Sequence, residues 1–332
     1  MKTPLSARRP MAGPSGWRRC WRLAPAALAA WALLGCAALP EPPPEVAEAV
    51  FAGVVEASGA RPDPAALLQR LRGARYVLLG EIHDNAQQHA LRAVLLRRLL
   101  SDGVPSVVVF EPIDREHSAA LGAAAIATPH DVEAVITAGG LDRAGWRWPL
   151  HRPVFVAALD GGAALAGGNL SRTDASRLVR GGAPQAPADL RALIDPVLDT
   201  RWTPEQQAEL LHQVDVGHCG ALPQSMLAPM ALAQRARDAA LALAMVQAAR
   251  QAAPGARVVL IAGNGHVRRD LGVPHDLAVL DAAARVLSVA FLELEDGRPG
   301  AVDGPYDAAW FTPRAERADP CADFKPPVAK PG

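Results

Sequence analysis

The sequence predicts an α/β protein: a parallel sheet flanked by helices on both faces, with a small helical subdomain inserted. Three observations carry the prediction. Short runs that are apolar at every position recur along the chain, as strands buried on both faces require. Stretches of helical periodicity separate them. The alternation lapses over residues 161–239, where helical segments follow one another with Gly and Pro punctuation and no convincing strand.

In chain order, Tyr76–Leu79, stopped by Gly80, is the first buried run. Residues 87–100 read as a helix, with apolar positions 91, 94, 95 and 99 on one stripe. Residues 106–110 form the second strand, 154–158 the third and Arg257–Ile261 the fourth; 277–280 and 287–294 read as further strands. Between them, 173–179, 188–198, 204–214 and 225–243 read as helices. Thr203 suits an N-cap, with Pro204 at the first helical position. The division is therefore an α/β domain over 63–160 and 240–315, a helical subdomain over 161–239, and a proline-containing unstructured tail over 316–332.

The N-terminus has its own logic. Lys2, Arg8, Arg9, Arg18, Arg19 and Arg22 precede an apolar stretch over 23–34, with no acidic residue before Cys36. That stretch has the length of a signal-peptide core and is too short to span a membrane. Leu33-Leu34-Gly35-Cys36 resembles the cleavage motif of bacterial lipoproteins. The resemblance implies removal of residues 1–35 and a diacylglycerol on the Cys36 thiol. Ala37, rather than Asp, favours the outer membrane by the same resemblance. Acyl chains contribute roughly 0.8 kcal/mol per buried methylene, so several of them anchor a protein stably. Residues 36–62 then read as a lipidated cysteine and a tether, with Pro40, Pro42, Pro43 and Pro44 extended and 48–58 helical.

Composition narrows the functions further. The 332-residue chain has 34 basic and 34 acidic residues. Six of the basic ones precede Cys36, so the chain from Cys36 onward is slightly acidic and lacks the basic footprint of a nucleic-acid binder. Beyond Cys36, Cys219 and Cys321 either pair in an oxidising compartment or remain two thiols.

In open parallel sheets, ligands bind beyond the carboxyl ends of the strands. The first strand is followed by Gly80-Glu81-Ile82-His83-Asp84-Asn85, the second by Glu111-Pro112, the third by Asp160, and the fourth by Gly263-Asn264-Gly265-His266. Four distant segments thus bring polar groups to one sheet edge. Two share the pattern Gly-x-x-His, ending at His83 and His266. Imidazoles placed there could bind metal or move protons. Each candidate also has an ordinary role open to it. Glu81 could bond loop amides, Asp84 or Asn85 could cap the next helix, His89 could be structural, and Cys219 could be a small buried residue. Arg143, Arg147 and Arg152 lie near Trp146 and Trp148 and could meet anionic groups.

Residues 74–85, His218-Cys219-Gly220, 233–238, 262–274 and Tyr306-Asp307 with Trp310-Phe311-Thr312-Pro313 resemble the ChaN-type iron-regulated lipoproteins, in order and over about residues 70–315. The resemblance implies non-covalent haem binding in iron uptake, with His83, His266, Tyr306 or His218 meeting the cofactor. A flat porphyrin left half exposed would favour a haem-bridged homodimer, and uptake would call on haem or iron transport partners. The wider Tiki and erythromycin-esterase-like superfamily implies an alternative: a hydrolase using Glu81, His83, Glu111 and His266, with His83, Glu111 and His266 holding a divalent metal. Of the two, a haem-binding protein is the expectation. The absence of Cys-x-x-Cys-His excludes c-type haem attachment.

Overall fold

The computed structural model describes residues 54–56, 63–195, 201–300, 305–319 and 321–322. The expected signal peptide, Cys36, most of the expected tether and the last ten residues lie outside these. Among the described residues are seven strands: β1 (Val54–Glu56), β2 (Tyr76–Leu79), β3 (Ser106–Asp114), β4 (Ala164–Asn169), β5 (Arg257–Ile261), β6 (Val286–Glu293) and β7 (Ala308–Thr312). They form one sheet in the order β1-β7-β6-β2-β5-β3-β4. All neighbours are parallel except β1, which runs antiparallel to β7.

Alternate residues of the central strands enter different cores. Val77 and Leu79 join one layer with helices α1 (Pro64–Arg72), α2 (Ala86–Leu100), α3 (Ser118–Ala127), α4 (Val132–Ala138) and α5 (Arg152–Asp160). Tyr76 and Leu78 join the other, under the end of the long helix α9 (Gln224–Gln251) and under α10 (Val273–Leu280). Burial on both faces is why these strands read as unbroken apolar runs. Earlier turns of α9 pack against α6 (Arg172–Gly181) and α7 (Arg191–Ile194), and its first turns against α8 (Pro204–Gly217). Thr203 caps α8 in a reciprocal capping box with Gln206. No helix among the described residues is long and apolar enough to cross a membrane.

Several expectations need correction. Residues 154–158 are not a strand but the middle of α5, started by Pro153 in its first turn. A short apolar run fits a buried strand or a buried helix equally, and periodicity cannot separate them. The strand is instead β4, Ala-Leu-Ala-Gly-Gly-Asn, inside the stretch expected to hold none. Its glycines answer to packing. A Cβ on Gly167 would stand 2.6 Å from Ile113, and one on Gly168 2.7 Å from Val109. Close approach has displaced the usual β-branched residues there. Residues 277–280 likewise belong to helix α10, with Pro274 in its first turn. Residues 54–56, expected to be helical, form strand β1. The start of the expected loose tail is held: Arg317 pairs with Asp84 (2.9 Å) and with Glu293, and Cys321 forms a disulfide with Cys219, Cα atoms 5.5 Å apart.

Candidate functional site

The two Gly-x-x-His segments are stitched to each other. Gly80 lies so close to the turn after β5 that a Cβ would stand 2.7 Å from Val267. The Asn264 backbone N–H donates to the Glu81 carbonyl at 2.9 Å. The Asn264 side chain donates to the Phe291 carbonyl (2.5 Å) and accepts from the Phe291 N–H (3.1 Å), clamping the turn to β6. His83 lies over Gly263, its Cε1 and Nε2 3.0 and 3.1 Å from where a Cβ would be. The Gly263 N–H donates to Glu111 Oε2 at 2.7 Å. Glu111 sits within β3, where the register with β4 slips between Phe110 and Asp114.

His266 is held from both sides. Its Nδ1 is 2.6 Å from Asp238 Oδ1, and its Nε2 is 3.2 Å from Glu111 Oε1. Gln234, one turn before Asp238 on α9, brings its Nε2 within 3.3 Å of the same Nδ1. Burial opposes the charge on His266, but Glu111 and Asp238 outweigh it and push its pKa up to about 10. Burial likewise opposes ionisation of Glu111, yet His266 and then His83 hold it at about 2. Asp238 goes the other way, raised by burial to about 6. His266 is therefore an imidazolium with both ring nitrogens engaged.

This arrangement sets a pH dependence. A histidine pKa raised by folding contributes stability that is complete below its ordinary value near 6.5 and is lost as pH rises through about 10. Asp238, at about 6, is mostly ionised by pH 7, so it adds little slope on the alkaline side. Denaturant unfolding between pH 7 and pH 10 is expected to show stability falling by up to about 1.4 kcal/mol per pH unit. His83, whose charged form burial opposes but Glu81 and Glu111 favour more, adds to the same slope, so His266→Gln should remove the larger part of it; an unchanged slope would mean the imidazolium is not the cause.

Behind His83 lies a buried polar cluster. His83 Nδ1 is 2.5 Å from Glu81 Oε1. Glu81 Oε2 is 3.0 Å from His89 Nε2 and 3.5 Å from the guanidinium of Arg92. Arg92 also donates to His89 Nδ1 at 2.8 Å, which fixes the proton of His89 on Nε2. His151 packs on His89 with ring centroids 4.2 Å apart. Burial opposes the charge on Glu81, but Arg92, His151, His83 and His89 together hold its carboxyl well below the usual value. Glu81, His89 and His151 bring donor atoms within 4.8 Å of one another. Arg92 already supplies the positive charge there, so the cluster reads as a support for His83.

In front of His83 lies a cavity of about 450 Å³. His83, Glu111 and His266 line it together, with Trp146 and Pro112 as apolar wall and Arg147, Arg172 and Arg237 as cations. Trp146 stands edge-on to His83 at 5.0 Å. Glu81 lies beneath, buried. Three residues that the sequence suggested do not line this cavity. Tyr306 is buried in the core, its hydroxyl donating to the Asn264 carbonyl at 3.3 Å. His218 caps α8, with Nδ1 2.7 Å from the Val214 carbonyl. Asp160 ends α5 on the exposed surface, 3.8 Å from Arg97. Asn85 caps α2 as expected, while Asp84 pairs with Arg147 and Arg317. The sequence did not single out Asp238, Gln234, Arg172 or Arg237 as site residues; Arg237 and Asp238 read there as a charged face of a long helix.

A family model described as haem-binding uptake, Tiki superfamily, ChaN matches residues 67–277. The chain belongs to that family. Its fold is similar to the structure of cofacial heme binding to ChaN of Campylobacter jejuni, at 17% identity and a TM-score of 0.61, covering 77% of this chain and 94% of that one. Two weaker likenesses are to an erythromycin esterase (15% identity, TM-score 0.39, 70% and 73% covered) and to the type III effector HopBA1 (15%, 0.42, 75% and 92%). No curated protein matches the chain.

Proposed function

We propose that this protein binds haem reversibly in the cavity at the carboxyl edge of the sheet, as a step in haem or iron uptake. The observation that carries the reading is His83. Its Nδ1 is tied to buried Glu81, its side chain is 50% exposed, and its Nε2 forms no hydrogen bond with a described residue. A carboxylate-backed imidazole with one free nitrogen facing a cavity has the form of a metal-ligating histidine. Haem needs an axial donor, an apolar wall and cations for its propionates. His83 offers the first, Trp146 and Pro112 the second, and Arg147, Arg172 and Arg237 the third. Bound haem would supply the iron that His83 meets. Because the cavity opens to solvent, two protomers facing each other across their haems would cover the exposed porphyrin, as an apolar face of that size favours. Titration of the purified protein with ferric haem, followed by absorption and sedimentation, should show a saturable Soret shift and a rise in mass. A protein that takes up no haem ends this reading.

One observation favours a second reading. Two histidine–carboxylate pairs, His83 with Glu81 and His266 with Asp238, meet at Glu111. In a hydrolase, His83 Nε2 would take a proton from water and the His266 imidazolium would face developing negative charge. Ester hydrolysis lost in His83→Ala, without haem uptake by the wild type, would select it.

The lipobox supports anchoring through Cys36 at the outer membrane, and the Cys219–Cys321 disulfide supports an oxidising compartment. Cys36→Ala should leave an unlipidated precursor that no longer labels with palmitate. Continued labelling and outer-membrane fractionation of that variant would contradict the anchor.

A further inference from the structure

We propose that Arg237, at the corner where β4 meets α6, forms a carboxylate subsite of the cavity. Resting on the haem reading, we assign that subsite to a haem propionate.

Charge pairing sets Arg237 apart. Each of the other cations lining the cavity faces a carboxylate. Arg147 is 3.4 Å from Asp84, Arg172 is 3.7 Å from Asp142, and His266 lies between Glu111 and Asp238. Arg237 has no carboxylate within ion-pair distance among the described residues. Its Nη1 donates to Asn169 Oδ1 (3.0 Å) and to the Leu170 carbonyl (3.1 Å), both neutral acceptors. Its Nε and Nη2 form no hydrogen bond with a described residue. Asp114 lines the same cavity and feels the charge of Arg237 from beyond ion-pair distance, while burial pushes its own pKa up.

The position is built rather than incidental. Arg237 is half-buried on α9, one residue before Asp238, so the helix that clamps His266 also sets the guanidinium. Two acceptors hold Nη1, which leaves the rest of the planar fork pre-organised for a carboxylate. Beside it, the first turn of the ten-residue helix α6 begins at Arg172, capped by Ser171, and the orphan N–H groups of such a turn favour an anion.

The spacing suits a porphyrin. His83 follows β2 and Asn169 ends β4, three strands away across β5 and β3. At about 4.8 Å per strand this is roughly 14 Å. An iron ligand reaching in from one side and a propionate anchor reaching in from the other fit that width.

The test compares ferric haem with its dimethyl ester, in which both propionates are masked. Wild type should bind haem about 10- to 100-fold more tightly than the ester, the worth of one or two charge-assisted hydrogen bonds. Arg237→Gln should lose most of that preference, because Arg147 and Arg172 already face carboxylates. Arg237→Lys, which keeps the charge, should recover part of the preference and shows that loss in the Gln variant is not unfolding. Equal wild-type affinity for the two porphyrins overturns the subsite while leaving the haem reading intact. A preference that survives undiminished in Arg237→Gln overturns the assignment to Arg237. Uptake of neither porphyrin overturns the haem reading, and the propionate assignment falls with it.

Discussion

His83→Ala should abolish axial coordination of ferric haem and lower its affinity by at least about 100-fold, since losing even an outer-shell partner of a ligating histidine costs 10- to 100-fold. The geometry also supplies the controls. Tyr306→Phe should leave the spectrum unchanged, because that hydroxyl is buried against the Asn264 carbonyl. His218→Ala should also leave it unchanged, because His218 caps α8 and does not line the cavity. His266→Ala should weaken binding less than His83→Ala, since both its nitrogens are engaged by carboxylates. Absorption titration of the four variants measures this. A wild-type spectrum in His83→Ala, or its loss in Tyr306→Phe, would reassign the ligand.

The second large effect concerns Arg92. Its side chain is fully buried, 3.5 Å from Glu81 and 2.8 Å from His89. Arg92→Met removes the charge that offsets a buried carboxylate. Breaking a buried pair from one side costs about 3–5 kcal/mol, because the remaining charge has no compensation. In a protein of this size that is a fall in Tm on the order of 10 °C. The double variant Arg92→Met with Glu81→Gln should regain much of the loss, since no charge is then stranded. Thermal unfolding of the single and double variants decides it. A double variant as unstable as the sum of its parts would show that Arg92 acts through packing alone.

The sequence made the sheet edge legible and the helices over it largely opaque. Gly80 and Gly263 could be read because each ends an apolar run and each permits a close approach found in the structure. His83, Glu111 and His266 could be placed from their positions after or within β2, β3 and β5, and they line one cavity. Strand β4 was hidden because Ala-Leu-Ala-Gly-Gly-Asn carries no β-branched residue; its glycines serve contact with Ile113 and Val109. Helix α5 was mistaken for that strand because Val154 to Ala158 are almost all buried, which erases the amphipathic period. Asp160 was misplaced for the same reason. Asp238 and Arg237 lie on α9, whose extreme length brings one stretch of it to the site while its ends pack elsewhere. A charged pair on a helix reads as a solvated face until something shows what the helix covers. Tyr306, which the sequence places near glycine and proline, was expected at the cofactor; in the fold it is core.

The central claim is that His83 meets iron in this cavity. Electron paramagnetic resonance of the ferric-haem complex, prepared from protein labelled with ¹⁵N-histidine, tests it most directly. Hyperfine coupling to one histidine nitrogen, absent in His83→Ala and retained in His266→Ala, is the predicted result. Absence of ¹⁵N coupling, or ¹⁵N coupling that persists in His83→Ala, would contradict it.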